Sequence, residues 1–181
     1  GIYDAQLAKY GHEVYNARKT FIDEFTDIFI DYYHFITNGA EKTSLELLSQ
    51  LDEGVNLADL LLKNRSKDRS LQYTSQGIHK DDLEFMIKGL SVKKFGSQGQ
   101  QKSFLMALKL AEHHFLRSKL NLSPILMLDD IFDKLDEERI KQLLKKVSDE
   151  NYSQVFITDT GSSRLRELFT ELGIEAQFYE I

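Results

Sequence analysis

Two segments of this chain bring together residues that could do chemistry. Phe95-Gly96-Ser97-Gln98-Gly99-Gln100-Gln101-Lys102-Ser103 opens a helical pattern, and Ile125-Leu126-Met127-Leu128-Asp129-Asp130 lies further along. The first is a polar, glycine-containing loop that offers backbone N–H groups and a helix N-terminus to a phosphate. The second is an apolar strand that ends in two carboxylates, an arrangement that holds Mg²⁺ and aims a water at a nucleotide. Asp129 reads as the metal carboxylate, acting through water, and Asp130 as the group that orients or deprotonates the attacking water. Together the segments point to ATP chemistry. Plain alternatives stand beside both: an N-cap and turn after a buried strand for the aspartates, and a capped helix start for the loop.

No G-x-x-x-x-G-K-[ST] loop occurs anywhere in the 181 residues, so only part of an ATPase site is present. Gly96 to Ser103 ends in Lys102-Ser103 but carries Gln101 where that motif requires glycine. It fits better as a loop whose Ser97 hydroxyl and Gly99 N–H reach a γ-phosphate held by another subunit.

The elements that must position these groups follow from spacing. From Leu7 the apolar residues Tyr10, Val14, Ala17, Phe21, Phe25, Ile28, Tyr32 and Phe35 recur every three or four positions, which predicts one long amphipathic helix ending at Asn38-Gly39. The chain starts almost inside this helix, which points to a beginning in mid-domain. A strand is expected at 43–48 and a helix at 56–67, capped by Asn56. Strands are expected at 71–74, 83–87 and 90–94, the last two joined by a tight turn at Lys88-Gly89. Helix 99–119, strand 125–129, helix 137–148, strand 154–158, helix 164–172 and strand 176–179 complete the reading. The strands around helix 137–148 are apolar on both faces, as in parallel strands buried between helices. The expected class is α/β, with a mostly helical insertion over 1–70 and an α/β lobe over 71–181.

A hydrophobic content of 41% supports a packed core, and no apolar run approaches the ~20 residues that span a bilayer. With no secretory leader at the N-terminus, the expected place is the cytoplasm, away from any membrane. The absence of cysteine excludes disulfides and thiolate metal sites. N-x-S matches at Asn64, Asn121 and Asn151 read as chance. A net charge of −6 argues against binding nucleic acid with the whole surface, so any such contact must be local. Basic residues cluster at Lys63, Arg65, Lys67 and Arg69 and at Lys93-Lys94, where solvated faces are the simpler account.

Gly77-Ile78-His79-Lys80-Asp81-Asp82-Leu83, then Phe95 to Lys102, then Leu126 to Asp130 with Lys134-Leu135-Asp136, resemble the C-terminal part of the RecF family. These are bacterial recombination mediators among the ABC-type ATPases related to SMC proteins. The resemblance covers most of the chain, from Asp4-Ala5-Gln6-Leu7-Ala8 onward, and implies the C-terminal lobe of an ABC-type P-loop ATPase head. It puts Ser97, Gly99 and Gln100 in the signature that closes over ATP on the opposite subunit. It makes Asp129 the Walker B carboxylate for Mg²⁺, Asp130 the counterpart of the catalytic glutamate, and Asp136 part of a loop crossing the dimer interface. The family's P-loop segment is absent here, so this chain alone is not expected to be an ATPase. The implied partners are DNA at single-strand/double-strand junctions, RecR and RecO, and a second copy in an ATP-dependent homodimer that helps load a recombinase. The switch histidine of transporters has no counterpart after strand 154–158, and the role of His79, Lys80, Asp81 and Asp82 does not follow from the resemblance.

Two other classes compete. Asp159-Thr160-Gly161-Ser162 matches the turn of an aspartic protease, which needs two such carboxylates within an all-β fold, and only one copy is present. The chain also reads as a non-enzymatic interaction module in which the Leu7-to-Phe35 stripe meets a partner, although a core role suits that stripe better. His113 and His114 are adjacent on a helix, make a poor metal pair, and read as helix-surface residues.

Overall fold

The apolar periodicity of the N-terminal segment produces helix α1 (Ile2–Ile36), which stops where Asn38 and Gly39 adopt positive φ, +53° and +68°. The Gly39 N–H closes the end onto the His34 carbonyl at 2.7 Å. A computed structural model describes residues 2–39, 41–130, 135–150, 152–160 and 162–180. After α1 come β1 (Thr43–Leu48), α2 (Leu57–Leu71), β2 (Asp82–Ile87), β3 (Leu90–Ser91), α3 (Val92–Phe95), α4 (Gln98–Leu120), β4 (Leu126–Asp129), α5 (Glu137–Asp149), β5 (Val155–Thr158) and α6 (Ser162–Leu172). β1, β2 and β3 form one sheet in that order, and β4 pairs with β5 in a second. The class is α/β, as expected. Among the described residues no helix is long and apolar enough to cross a membrane.

Several expectations are corrected. No strand forms at 71–74, because α2 continues through Arg69 to Leu71 and is closed by Gln72 at φ +59°. The expected strand 90–94 shortens to Leu90–Ser91, since Val92–Phe95 turns into a helix whose end bonds Gly96 N–H to the Val92 carbonyl at 3.0 Å. The turn before it is as predicted, with Lys88 and Gly89 both at positive φ. No strand forms at 176–179; Phe178 instead packs edge-on against Phe169 of α6, with Arg166 over its ring. β4 is not apolar-buried on both faces either, for Leu126 and Leu128 are buried while Met127 is 76% exposed. Lys134, Asn151 and Gly161 of the motifs above lie outside the described residues.

The chain divides into two compact units, Gly1–Thr26 with Ser44–Met86, and Asp27–Thr43 with Ile87–Ile181. Both are discontinuous, and the single cut at residue 70 drawn from the sequence falls inside the first. That unit is built on Tyr15, Leu51, Leu57 and Leu61, with Ala8, Leu47, Leu60 and Ile78 packed around them. The Tyr15 hydroxyl donates to Asp52 at 2.5 Å, and this bond to a carboxylate pushes its pKa up to about 12. Arg18 donates to the Ile78 carbonyl and to Asp81, both at 2.7 Å, so the Gly77-to-Leu83 motif has a visible structural task in tying its turn to α1. Gly11 lets α1 approach α2, since a Cβ there would stand 2.4 Å from Leu57 Cδ2. Gly11→Val is expected to destabilise this unit by about 1–3 kcal/mol in denaturant titrations. Gly11→Ala should cost less, because alanine regains up to about 1 kcal/mol of helix propensity.

The second unit has a larger core. Phe29, Tyr33 and Ile36 from α1, Ala107, Leu110 and Ala111 from α4, and Ile140, Leu143 and Leu144 from α5 are almost wholly buried. Beside them the Tyr32 hydroxyl donates to Glu150, and Lys146 lies 2.9 Å from the same carboxylate. Burial raises the Glu150 carboxyl, but Tyr32 and Lys146 outweigh burial and hold it below its ordinary value. A depressed folded pKa gives stability that is present above the ordinary value of 4.5 and is lost as pH falls through the folded value. Glu150→Gln should therefore flatten the loss of stability as pH falls below the ordinary value of 4.5, measured by denaturant midpoints.

Candidate functional site

The parallel register of β4 and β5 sets the first group of residues. Leu126 pairs with Val155, and the ladder runs on to Asp129 opposite Thr158. Alternation sends Leu126 and Leu128 into the core and leaves Asp129 at the carboxyl end of the strand, where ligands sit in open α/β sheets. The Thr158 hydroxyl donates to Asp129 Oδ1 and fixes that carboxylate. Asp130 continues the ladder, its N–H donating to the Thr158 carbonyl at 3.1 Å, and takes φ +50°, a conformation that aspartate tolerates better than most residues. Sequence reading treated Thr158 only as a strand end; the signal was a hydroxyl at the last position of the neighbouring parallel strand.

The second group lies at the start of α4. Ser97 caps the helix as a full capping box: its Oγ accepts from Gln100 N–H at 3.2 Å, and Gln100 Oε1 accepts from Ser97 N–H at 2.8 Å. The capped-start alternative is thus present in the geometry, and it leaves the Ser97 O–H free to donate elsewhere. Gln100 Nε2 donates to Glu41 at 2.7 Å, and Glu41 also accepts from Tyr33 at 2.9 Å. Gln101 ties down the Gly96 carbonyl at 3.0 Å. Gly96 is glycine for a local reason, because a Cβ there would meet the Val92 carbonyl oxygen at 2.5 Å.

Asp136 caps α5, its carboxylate accepting from Arg139 N–H at 3.0 Å and from the Arg139 guanidinium at 2.7 Å. That guanidinium also faces α4, for a Cβ on Gly99 would stand 3.0 Å from Arg139 Nη1. Ser97, Gly99, Gln100 and Asp136 are therefore brought into one neighbourhood through Arg139 and the capping box, while Asp129 and Asp130 form a separate pair. Arg139 and Glu41 were both missed by sequence reading, since each acts by partners distant in the chain. Lys102 does not belong to a P-loop. It lies on α4 and lines, with Asp129, Met127 and Leu105, a groove of about 410 Å³.

Whether these residues suit Mg²⁺ can be judged from their donors. Asp129 and Asp130 are hard oxygen ligands, and among the described residues no group of three or more His, Cys, Asp or Glu could hold a metal. Two carboxylates without a protein cage suit an ion that keeps waters and takes its remaining ligands from phosphates. His113 is corrected from surface to buried, 7% exposed, with Nε2 at 2.8 Å from the Pro124 carbonyl oxygen; α4 packs it against the lead into β4. His114 meets the Tyr32 hydroxyl at 3.1 Å. The protease reading loses its frame, because Asp159 follows a strand of an α/β sheet and precedes α6 rather than sitting in an all-β fold.

No family model matches the chain. It is similar to the DNA replication and repair protein RecF of Parabacteroides distasonis, 44% identical over 180 residues, which is 99% of this chain and 49% of that protein. The same-named protein of Flavobacterium johnsoniae is 49% identical over 163 residues, 90% of this chain and 45% of that protein. Among solved structures it resembles the recombination mediator protein RecF with ATP, in the RecFOR pathway, at TM-score 0.74 and 27% identity, over 88% of this chain and 44% of that one. An Smc head bound to the C-winged helix domain of ScpA shares the fold at TM-score 0.50 and 15% identity, over 87% of this chain and 39% of that one. The α/β lobe of an ABC-type head is thus the fold, and the chain spans about half the length of the curated relatives it matches. Over nearly its whole length the chain is similar to RecF proteins, of which it matches about half.

Proposed function

We propose that this chain supplies the signature and Walker B side of an ABC-type ATPase head that works on DNA in recombination and repair. The observation that carries the reading is a serine-capped polar loop at Ser97 together with two carboxylates at the end of a parallel strand, Asp129 and Asp130, in a chain similar to RecF over 99% of its length. Ser97, whose lone pair serves the cap, donates its O–H to a phosphate oxygen, and Gly99 presents a backbone N–H at the helix N-terminus. Gln100 keeps the loop in place, and Asp136 belongs to the surface that meets the other copy. Asp129 holds the metal carboxylate position, and Asp130 orients the attacking water and takes its proton. Bound Mg²⁺ supplies charge neutralisation on the phosphates.

In this reading the unit Gly1–Thr26 with Ser44–Met86 is the helical insertion, and the unit Asp27–Thr43 with Ile87–Ile181, which carries Ser97, Asp129 and Asp136, is the ATPase lobe. ATP joins two copies, hydrolysis releases them, and the assembly acts in the cytoplasm at single-strand/double-strand junctions with RecR and RecO to promote recombinase loading. Because no P-loop lies within these 181 residues, the chain alone is expected neither to bind ATP tightly nor to hydrolyse it. Sedimentation and a fluorescent-ATP titration with Mg²⁺ test this, with and without a P-loop-bearing RecF segment supplied in trans. Binding and a larger assembly only with that segment support the reading. Unaided saturable hydrolysis that disappears in Asp130→Asn would overturn it.

A further inference from the structure

The first turn of α5 carries an arginine that helix stability does not explain. Asp136 caps the helix, and Glu137 and Glu138 follow it; these acids suit the positive end of the helix dipole, whereas the cation of Arg139 opposes it. The pair of Arg139 with Asp136, at 2.7 Å, joins side chains 27% and 56% exposed, and pairs so open to solvent contribute little to stability. What lies on the other side of the guanidinium accounts for it better. Nη1 occupies the space in which a side chain at position 99 would stand, 3.0 Å from a Cβ built there, so the group faces the first turn of α4. The next residue of that turn, Gln100, is held from Glu41, which accepts from its Nε2 at 2.7 Å and from Tyr33 at 2.9 Å, with Lys88 Nζ 3.7 Å away. Glu41 thus steadies the turn, and Arg139 joins it to Asp136.

We infer that Arg139 is a positioning residue that couples the Asp136 carboxylate to the Ser97–Gly99 loop, so that a change at one is felt at the other. The inference rests on the proposed ATPase reading, in which Gly99 faces a phosphate and Asp136 meets the other copy, and it names the residue that makes those two contacts interdependent. The chemistry of the side chain selects arginine. A planar guanidinium offers one N–H to a carboxylate while its body fills the gap beside Gly99, whereas a lysine ammonium is a compact charge on a flexible stem and does one of these at a time. Glycine at 99 completes the fit, because a methyl there moves the guanidinium by a few tenths of an ångström and disturbs its 2.7 Å bond to Asp136. When another copy engages the Asp136 carboxylate, the bond that orients the guanidinium is lost and Gly99 loses its stop. A purely local role, in which Arg139 serves only its own helix cap, predicts changes in α5 and none at Gly99.

The test is a set of amide NMR spectra of the 181-residue chain, read at residues 99 and 100. Asp136→Ser keeps a good N-cap but removes the carboxylate that holds Arg139, and it is expected to shift both resonances. The same substitution is expected to leave them in place when Arg139→Met is already present, the mark of two residues acting through one link. Gly99→Ala reaches that link from the opposite side and should blunt the response of Gln100. In a full-length RecF protein carrying these residues, Arg139→Met and Arg139→Lys are each expected to weaken ATP-dependent association about tenfold. Thermal melts of the Arg139 variants should stay close to wild type, since the pair is exposed. Resonances that answer Asp136→Ser equally with and without Arg139, or that never answer it, overturn the inference, as does full association in Arg139→Lys. Absence of ATP-dependent association in the unsubstituted full-length protein would instead sink the ATPase reading, with the spectra still deciding the coupling, so the two fail separately.

Discussion

On the proposed function, Ser97→Arg in a full-length RecF protein is expected to weaken ATP-dependent association by about a hundredfold or more, while nucleotide affinity of the separate copies stays nearly unchanged. The reasoning begins with the cap. Ser97 is the residue whose Oγ takes the Gln100 N–H and whose own N–H is taken by the Gln100 side chain. Arginine removes the acceptor, puts a cation at the positive end of α4, and fills the space in front of the first-turn N–H groups. Ser97→Ala removes the cap, worth about 1 kcal/mol, together with the hydroxyl donor, but leaves the space in front of the helix open. Sedimentation of both variants with a slowly hydrolysed ATP analogue separates the effects. If serine serves only as a cap, the two variants lose association equally. If the loop meets a phosphate held by another copy, arginine is far worse than alanine.

The contrast between Ser97 and Arg139 shows what the sequence could convey. A serine three residues before a glutamine at the head of an apolar-periodic run is a local signal, so the cap, helix α4 and the long helix α1 were all legible. The Lys88-Gly89 turn and the end of the strand at Asp129 were legible for the same reason, since each depends on residue types within a few positions. Contacts that join distant segments were not. Nothing near Arg139 in the chain indicates that its guanidinium lies against Gly99, and nothing near Glu41 indicates that it receives Gln100 and Tyr33. The failed strands have a similar cause. Leu71 to Thr74 has strand-like composition, but a helix already propagating through Arg69 gains a hydrogen bond per added residue and stops only where Gln72 takes the left-handed conformation. At Ala176 to Tyr179, contact of Phe178 with α6 replaces ladder pairing.

The Ser97 loop also depends on a residue far from it in sequence, and Phe29→Ala is expected to expose that dependence. Phe29 has no solvent exposure, and its ring centre lies 4.5 Å from that of Phe104 on α4, with Tyr33 packed against both. Removing a buried phenylalanine loses its transfer free energy and leaves a cavity, so a loss of about 3–5 kcal/mol is expected, read from the shift in denaturant midpoint. Phe29→Leu fills most of the volume and should cost less than half as much. The position of the damage matters as much as its size. Phe104 sits on α4, and the same stretch of α1 carries Tyr33, whose hydroxyl holds Glu41 against Gln100 of the cap. A relaxed Phe29 site therefore loosens both supports of the Ser97 loop at once. Hydrogen exchange should show the amides of Gln98 to Ser103 losing protection in Phe29→Ala under conditions where α2, in the other unit, keeps its own. Equal loss of protection in both units would mean that the two unfold together and that Phe29 gives no separate support to the loop.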